Sequence, residues 1–167
     1  LTMLPEEMFF RAVRYAELDV TELSLSTHML QTQRGDAQYL GIPVFLSRVF
    51  RHSGFYIRTD RGIASGADLK RKKVGVPEYQ MTAAVWQRGL LKDEFGIEPW
   101  EIAWRTGGLE ETGREERTPI NLPDKYDLQR IGPDQTLSGM LESGELDAVI
   151  SPPMPSCLQR GAPNVAR

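Results

Sequence analysis

The segment from residue 74 to residue 86, Val-Gly-Val-Pro-Glu-Tyr-Gln-Met-Thr-Ala-Ala-Val-Trp, constrains the fold more than any other part of the chain. A short apolar run ends at Pro77, and an apolar spacing of helical period begins near Met81, which predicts a strand, a turn and a helix. The first turn of such a helix carries unpaired backbone N–H groups at the positive end of the helix dipole, and Thr82 adds a hydroxyl donor. We therefore expect this turn to attract carboxylate or phosphate, although Gln80 or Thr82 could equally serve only as a helix cap.

The remaining segments alternate between strand and helix patterns, which predicts an α/β fold with parallel-sheet connections. Residues 1–4 resemble the tail of a strand, and Pro5 opens a predicted helix whose apolar stripe runs to Ala16. Further helices are predicted at 81–94, closed by Gly96, and at 136–141, opened by Asp134. Strands are predicted at 19–25, 41–49, 55–57, 102–104, 128–131 and 148–150, and residues 109–125 are predicted to be an irregular excursion.

Composition excludes several classes of protein. With 167 residues, 40% of them hydrophobic, the chain can build one domain or two small lobes. A net charge of −3 with interleaved acids and bases does not favour nucleic-acid binding. A single cysteine, Cys157, excludes an internal disulfide framework and is compatible with the cytoplasm. No apolar run of about 20 residues predicts a membrane span, and no signal peptide is visible. Because the chain starts at Leu1 without an initiator methionine, we expect it to be truncated at both ends.

Hydroxyl and cationic side chains follow two of the predicted strands. Ser26 follows the strand at 19–25, and Arg105 and Thr106 follow the strand at 102–104. The carboxyl ends of strands are where α/β sheets bind ligands, and a guanidinium there can grip a carboxylate with two hydrogen bonds. Ser26 is equally a good helix N-cap.

A second polar group, Arg51, His52 and Ser53, lies between two predicted strands. Histidine is scarce in this chain, where only His28 and His52 occur. An imidazole has an ordinary pKa near 6.5, so His52 could act as an acid or base near neutral pH. The alternative is that His52 is a surface loop residue.

The motifs that suggest a family are spread over nearly the whole chain. They are 4–7 (Leu-Pro-Glu-Glu) with Phe9 and Phe10, 22–26 (Glu-Leu-Ser-Leu-Ser), 42–45 (Ile-Pro-Val-Phe), 51–54 (Arg-His-Ser-Gly), 75–83 (Gly-Val-Pro-Glu-Tyr-Gln-Met-Thr-Ala), 106–108 (Thr-Gly-Gly) and 144–148 (Gly-Glu-Leu-Asp-Ala). Together they resemble the 4,5-dihydroxyphthalate decarboxylase family.

That resemblance implies a fold like that of type 2 periplasmic binding proteins, with two α/β lobes joined by a hinge around a ligand cleft. It assigns residues 1–60 to part of lobe 1, 61–66 to the hinge, 67–150 to lobe 2, and 151–167 to a segment that returns toward lobe 1. It implies the activity of a carboxy-lyase that converts 4,5-dihydroxyphthalate, or a related aromatic dicarboxylate, to protocatechuate and carbon dioxide in aromatic catabolism. A cytoplasmic enzyme is expected, with a homo-oligomer left open.

The resemblance also gives the polar residues expected roles. His52 is expected to deliver a proton to the ring carbon that loses its carboxylate, and Glu78 or Tyr79 to accept from or orient a ring hydroxyl. The residues expected to bind the substrate dianion are Ser26, Arg51, Ser53, Tyr79, Gln80, Met81, Thr82, Arg105 and Thr106. No cofactor is predicted. A divalent metal could bind the catecholic oxygens, but no ligand set is visible in the sequence.

Two alternatives remain open at this stage. The same fold and anion site would serve a solute-binding protein or sensor for an aromatic or sulfonated anion, without catalysis. The second alternative is a related enzyme that acts on a different aromatic acid. Adding or removing one ring hydroxyl changes only a few contacts in the pocket, so the same motifs would suit either substrate.

Overall fold

A computed structural model describes residues 5–46 and 49–167. The predicted strand tail at 1–4, and residues 47 and 48 of the predicted strand at 41–49, lie outside these ranges. The helices are α1 (Pro5–Tyr15), α2 (Leu25–Arg34), α3 (Thr82–Phe95), α4 (Leu137–Ser143) and α5 (Ser156–Gln159). The strands are β1 (Phe55–Arg58), β2 (Lys73–Val76), β3 (Ala103–Thr106), β4 (Leu128–Arg130), β5 (Ala148–Ile150) and β6 (Val165–Ala166).

The six strands form one mixed sheet in the order β4-β3-β2-β5-β1-β6. Strands β4, β3, β2 and β5 are parallel neighbours, whereas β1 runs antiparallel to both β5 and β6. The α/β class predicted from the sequence is therefore confirmed. Because their directions agree, the carboxyl ends of the four parallel strands share one edge of the sheet, and the turn between β2 and α3 lies on that edge.

The sheet separates two hydrophobic clusters. Alternate residues of a strand point to opposite faces, so Ala148 and Ile150 join one cluster while Val149 joins the other. Helix α3 covers the first cluster through Leu91, and α4 covers the second through Leu137. This layering fixes the start of α3 at the carboxyl edge, immediately after β2.

Local signals predicted most of this sheet correctly. The strands expected at 55–57, 74–76, 102–104, 128–131 and 148–150 are present to within one or two residues, and 109–125 is irregular. Helix α3 ends at Gly96, which has the left-handed φ of 67° expected of a glycine cap. Helix α5 and strand β6 were not predicted.

Three predictions about the first 60 residues and α4 are wrong. Residues 19–24 form no strand, and Val20 is 83% exposed. Residues 41–46 and 49 form no strand either. In both segments the apolar pattern suited a strand, but the described chain offers no neighbouring strand to pair with it. The cap of α4 is Thr136, whose hydroxyl accepts from the Gly139 N–H, rather than Asp134.

Two further observations concern the whole chain. None of the helices within residues 5–46 and 49–167 combines the length and the apolar character needed to cross a membrane. Cys157 is a free, buried thiol.

Candidate functional site

Three hydroxyl side chains from two helices meet at the carboxyl edge of the sheet. Ser24 Oγ lies 2.8 Å from Thr82 Oγ1 and 3.1 Å from Ser26 Oγ. Ser26 Oγ lies 3.1 Å from Thr82 Oγ1 and donates to the Gln80 carbonyl at 2.7 Å. We call Ser24, Ser26 and Thr82 the hydroxyl cluster. It joins residues separated by more than fifty positions in the sequence, and it ties the start of α2 to the start of α3.

Both helices present their positive ends to this cluster. Neither the N-cap of α2, Ser24, nor that of α3, Met81, makes a side-chain capping hydrogen bond, and neither first turn contains an acidic residue. The Ser26 backbone N–H donates instead to Thr82 Oγ1 at 3.2 Å. Converging helix dipoles and N–H groups, with no acidic residue in either first turn, favour a bound anion.

Gln80 adds an amide donor beside the cluster. Its side chain is buried, and its Oε1 lies 3.4 Å from Thr27 Oγ1 in the first turn of α2. Within the described residues its Nε2 has no hydrogen-bond partner. An unpaired buried N–H group costs about 1–3 kcal/mol, so a ligand oxygen at this point would be stabilised.

Glu78 occupies a buried double ion pair next to this turn. Its Oε1 lies 2.6 Å from Arg114 Nη2 and 2.8 Å from Arg117 Nε. Burial raises the pKa of Glu78, but the hydrogen bonds from Arg117 and Arg114 outweigh it and leave the pKa below its ordinary value. Glu78 therefore stays ionised near neutral pH. Its carboxylate, expected from the sequence to accept from or orient a ring hydroxyl, is engaged by Arg114 and Arg117 and anchors the excursion at 109–125.

A cavity of about 680 Å³ opens between α1 and the excursion. Its lining combines Phe10 and Arg14 from α1 with Arg114, Glu116 and Arg117 from the excursion. The volume falls within the range of small-molecule sites, about 300–1,000 Å³. Four glutamates also line the cavity, and Arg114 and Arg117 are already paired with Glu78. No residue of the hydroxyl cluster lines it, so the anion site is placed at the cluster and not in this cavity.

Comparison with known proteins agrees with this chemistry. No family model matches the chain. The 4,5-dihydroxyphthalate decarboxylase of Pseudomonas putida is 52% identical over 162 residues, which is 97% of this chain and 63% of the relative. The 4,5-dihydroxyphthalate decarboxylase of Comamonas testosteroni is 49% identical over 161 residues, which is 96% of this chain and 49% of the relative.

This chain is homologous to the 4,5-dihydroxyphthalate decarboxylases. The resemblance drawn from the sequence motifs is thus confirmed over almost all of the chain. The chain spans between about half and two thirds of the length of these curated relatives.

The fold brings together three of the residues predicted to bind substrate, Ser26, Gln80 and Thr82, with Met81 between them as the N-cap of α3. Ser26 is not an N-cap, because Ser24 holds that position in α2. Thr106 is buried at the same carboxyl edge, where it is in register with Val76 at the end of β2.

Two other predicted binding residues are occupied elsewhere. Arg105 Nη1 lies 3.0 Å from Asp127 Oδ1, so its guanidinium is already paired with a carboxylate beside β4. The Tyr79 ring is buried in the core, where it meets Trp104 edge to face with a centroid separation of 5.5 Å. Burial raises the pKa of Tyr79, which therefore remains a neutral phenol.

His52 lies at the opposite end of α3 from Thr82, and Arg51 lies beside the middle of the helix. His52 Nε2 lies 3.0 Å from Glu94 Oε1, and the His52 side chain is 55% exposed. Positions 82 and 94 are separated by 12 residues, or about 18 Å along a helix. Arg51 contacts α3 through its carbonyl, which accepts from the Gln87 side chain. A ligand held at the hydroxyl cluster is therefore out of reach of His52, which the sequence had assigned as proton donor.

Sequence reasoning missed Ser24, Arg114 and Arg117. Ser24 has the same residue type and spacing as Ser26, and that pairing was the available signal. Arg114 and Arg117 lie in a segment without periodicity, so nothing local connected them with Glu78. In the described part of the chain no three His, Cys, Asp or Glu side chains form a metal-binding group. A divalent cation thus finds no fitting ligand set there, and no step below depends on one.

Proposed function

We propose that the protein decarboxylates 4,5-dihydroxyphthalate, or a related aromatic dicarboxylate, to protocatechuate and carbon dioxide. The observation that carries the proposal is the convergence of two helix N-termini on the hydroxyl cluster, neither of which is capped by its own N-cap side chain. The chain is 52% identical to a protein named for this activity. Such a site binds a carboxylate through N–H and O–H donors. An aromatic dicarboxylate supplies two such groups.

The chemistry requires a bond exchange at one ring carbon. The bond from that carbon to the carboxylate breaks, its electron pair stays on the ring, and a proton then joins the same carbon. A hydroxyl para to the leaving carboxylate feeds electrons into the ring. We propose that Ser26, Thr82 and the Gln80 amide hold a carboxylate and fix the ring. We assign no proton donor, because the distance between His52 and the cluster argues against the assignment made from the sequence.

We also propose the two-lobed arrangement with a shifted boundary. Residues 1–60 were assigned to lobe 1 and 61–66 to the hinge, yet β1 pairs with β5 in the sheet that would be lobe 2. By the same reasoning β6, which pairs with β1, belongs to this sheet, so we place the first crossing point near Gly54 and the return at its far end, beyond β6, rather than at 151–167. The apolar stretch at 40–50 supports a first lobe completed by further chain, since Leu40 is 90% and Phe50 is 86% exposed.

One experiment separates the proposed enzyme from a binding protein. The full-length protein is incubated with 4,5-dihydroxyphthalate, with and without chelator, while carbon dioxide release and calorimetric binding are followed. Release of carbon dioxide is expected, and its sensitivity to the chelator then decides whether a divalent metal takes part. Tight binding without release would instead support a solute-binding protein or sensor, and neither binding nor release would mean that the substrate is a different aromatic acid.

We also propose a cytoplasmic setting and a homo-oligomer. Sedimentation of the full-length protein would determine its oligomeric state.

A further inference from the structure

The backbone of Tyr79 and Gln80 is held by charged side chains from two other parts of the chain. The Tyr79 N–H donates to Glu116 Oε1 at 2.5 Å, and the Gln80 N–H lies near the same carboxylate and lowers its pKa. The Tyr79 carbonyl accepts from Arg88 Nη1 at 2.6 Å. The Gln80 carbonyl accepts from Ser26 Oγ. Three of the four backbone polar groups of Tyr79 and Gln80 are thus held by hydrogen bonds from or to side chains.

The Arg88 guanidinium packs against this turn. Its guanidinium carbon lies 3.6 Å from the centre of the Tyr79 ring and 5.8 Å from that of Trp104. Among the described residues no carboxylate lies within ion-pair distance of it, and burial lowers its pKa. The partly buried Arg88 guanidinium thus contacts one carbonyl and two aromatic rings, and these contacts hold the turn at Tyr79 in place.

Glu116 approaches the turn from the excursion at 109–125. The contacts between the turn and the excursion run in both directions. Glu78 of the turn pairs with Arg114 and Arg117 of the excursion. Glu116 of the excursion accepts the Tyr79 N–H of the turn. Its Oε2 is buried without a hydrogen-bond partner in the described chain, and burial raises its pKa. Because Oε2 can carry the proton, Oε1 can accept the Tyr79 N–H whether or not Glu116 is protonated.

We infer that Glu116 and Arg88 are positioning residues, which set the backbone of Tyr79 and Gln80 and thereby the Gln80 amide and Thr82 that bind the substrate carboxylate. The inference rests on the proposed function for its substrate. On this inference the irregular excursion at 109–125 contributes to substrate binding. It does so by positioning the Gln80 amide and Thr82, without touching the ligand itself.

The test compares three variants of the full-length protein. Glu116→Ala removes the acceptor, Glu116→Gln keeps a carbonyl oxygen at the same position, and Glu115→Ala is the matched control. Glu115 is the adjacent residue, has a 77% exposed side chain and pairs with Arg130. For Glu116→Ala we expect KM and Kd for 4,5-dihydroxyphthalate to rise about tenfold, with kcat within about threefold, because the loss affects ground-state and transition-state binding alike. Glu116→Gln and Glu115→Ala should stay within about threefold of the wild type.

A second readout does not depend on the substrate. The amide resonances of Tyr79 and Gln80 in ¹H–¹⁵N spectra should shift strongly in Glu116→Ala, weakly in Glu116→Gln, and not in Glu115→Ala. If Glu116→Ala does not fold, Arg88→Lys takes its place, since it keeps the charge but loses the planar stack on Tyr79, and KM should rise about tenfold, clearly above the range of the controls.

The inference is overturned if Glu116→Ala, or Arg88→Lys in its place, leaves KM and both amides at wild-type values, or if Glu116→Gln is as impaired as Glu116→Ala. A wild-type protein that neither binds nor converts 4,5-dihydroxyphthalate would refute the proposed function alone. In that case the amide shifts still decide whether Glu116 positions the turn.

Discussion

The two ends of α3 carry the two groups of polar residues that the sequence singled out, and they differ in almost every physical respect. At the N-terminal end, Thr82 meets Ser24 and Ser26 from another helix, and a buried network of charges holds the preceding turn. At the C-terminal end, Glu94 meets His52 in an exposed pair beside an apolar cavity of about 250 Å³.

The difference follows from the direction of the helix. Unpaired N–H groups and the positive end of the dipole favour anions at the start of a helix, whereas the carbonyl end favours cations such as protonated histidine. A substrate with two carboxylates is therefore attracted to the end at Thr82 and not to the end at His52. The residue types alone make both groups candidates for binding the substrate. The direction of the helix dipole favours the group at Thr82.

The largest effect is expected where the network beside Thr82 is broken. Replacing both Arg114 and Arg117 by alanine leaves the buried Glu78 carboxylate unpaired, and should lower the free energy of unfolding by about 3–5 kcal/mol. Urea denaturation would measure this change. Adding Glu78→Gln to the double variant should recover much of the loss, and no recovery would show that the arginines stabilise the excursion through other contacts. Arg130→Ala, which breaks the exposed pair with Glu115, is the control and should have little effect.

The pH dependence of stability tests the same ion pair. The folded pKa of Glu78 is lowered, so between that value and its unfolded pKa, about 4.3, the unfolded chain binds more protons. The contribution of Glu78 is then complete above the unfolded pKa and is lost as the pH falls through the folded pKa. Glu78→Gln should be about 2 kcal/mol less stable than the wild type at pH 7, and this gap should narrow at pH 3. A gap that is constant between the two pH values would contradict the assignment.

Ligand affinity tests the hydroxyl cluster directly. Thr82→Val keeps the shape of the side chain but removes the hydroxyl at the centre of the cluster, and should raise Kd for 4,5-dihydroxyphthalate about tenfold, or ~1.4 kcal/mol. Calorimetric titration gives the affinity. Thr32→Val is a matched control, because Thr32 also makes a hydroxyl hydrogen bond in α2 but lies two turns away from the cluster. Equal affinities for Thr82→Val and the wild type would place the ligand elsewhere.

The smallest effect is expected at the other end of α3. His52→Ala removes an exposed side chain far from the cluster, so turnover and Kd should stay within about threefold of the wild type. Steady-state kinetics and binding of 4,5-dihydroxyphthalate would show this. A loss of turnover by about 10²–10⁴-fold would restore His52 as the general acid and would reverse the ranking of the two helix ends.

Local sequence signals predicted the parts of the fold that depend on neighbours in the chain. The strand, turn and helix at 74–86 and the cap at Gly96 are set by short-range sterics and hydrogen bonds, and both are confirmed. The strand predicted at 19–25 fails because a strand also needs a partner, which alternation of Val20, Leu23 and Leu25 cannot supply.

The site was predicted in its residue types more than in its geometry. Ser26, Gln80 and Thr82 were expected near ligand-binding strand ends, and the fold brings them together. The separation of His52 from them depends on the length and direction of α3, which no spacing in the sequence reveals. The grip of Arg114 and Arg117 on Glu78 joins residues more than thirty positions apart and leaves no local pattern.

The central position of β1 between β5 and β6 has a consequence for how this chain can be divided. Ile57 is in register with Ala148 on one side and with Ala166 on the other. The segment 55–166 therefore begins in one strand and ends in the neighbouring strand, and neighbouring strands lie about 5 Å apart. A segment with neighbouring ends can be inserted into a host loop, or removed from it, without stretching the chain on either side. Recombination could therefore transfer the sheet together with α3, α4 and α5 between proteins as one unit.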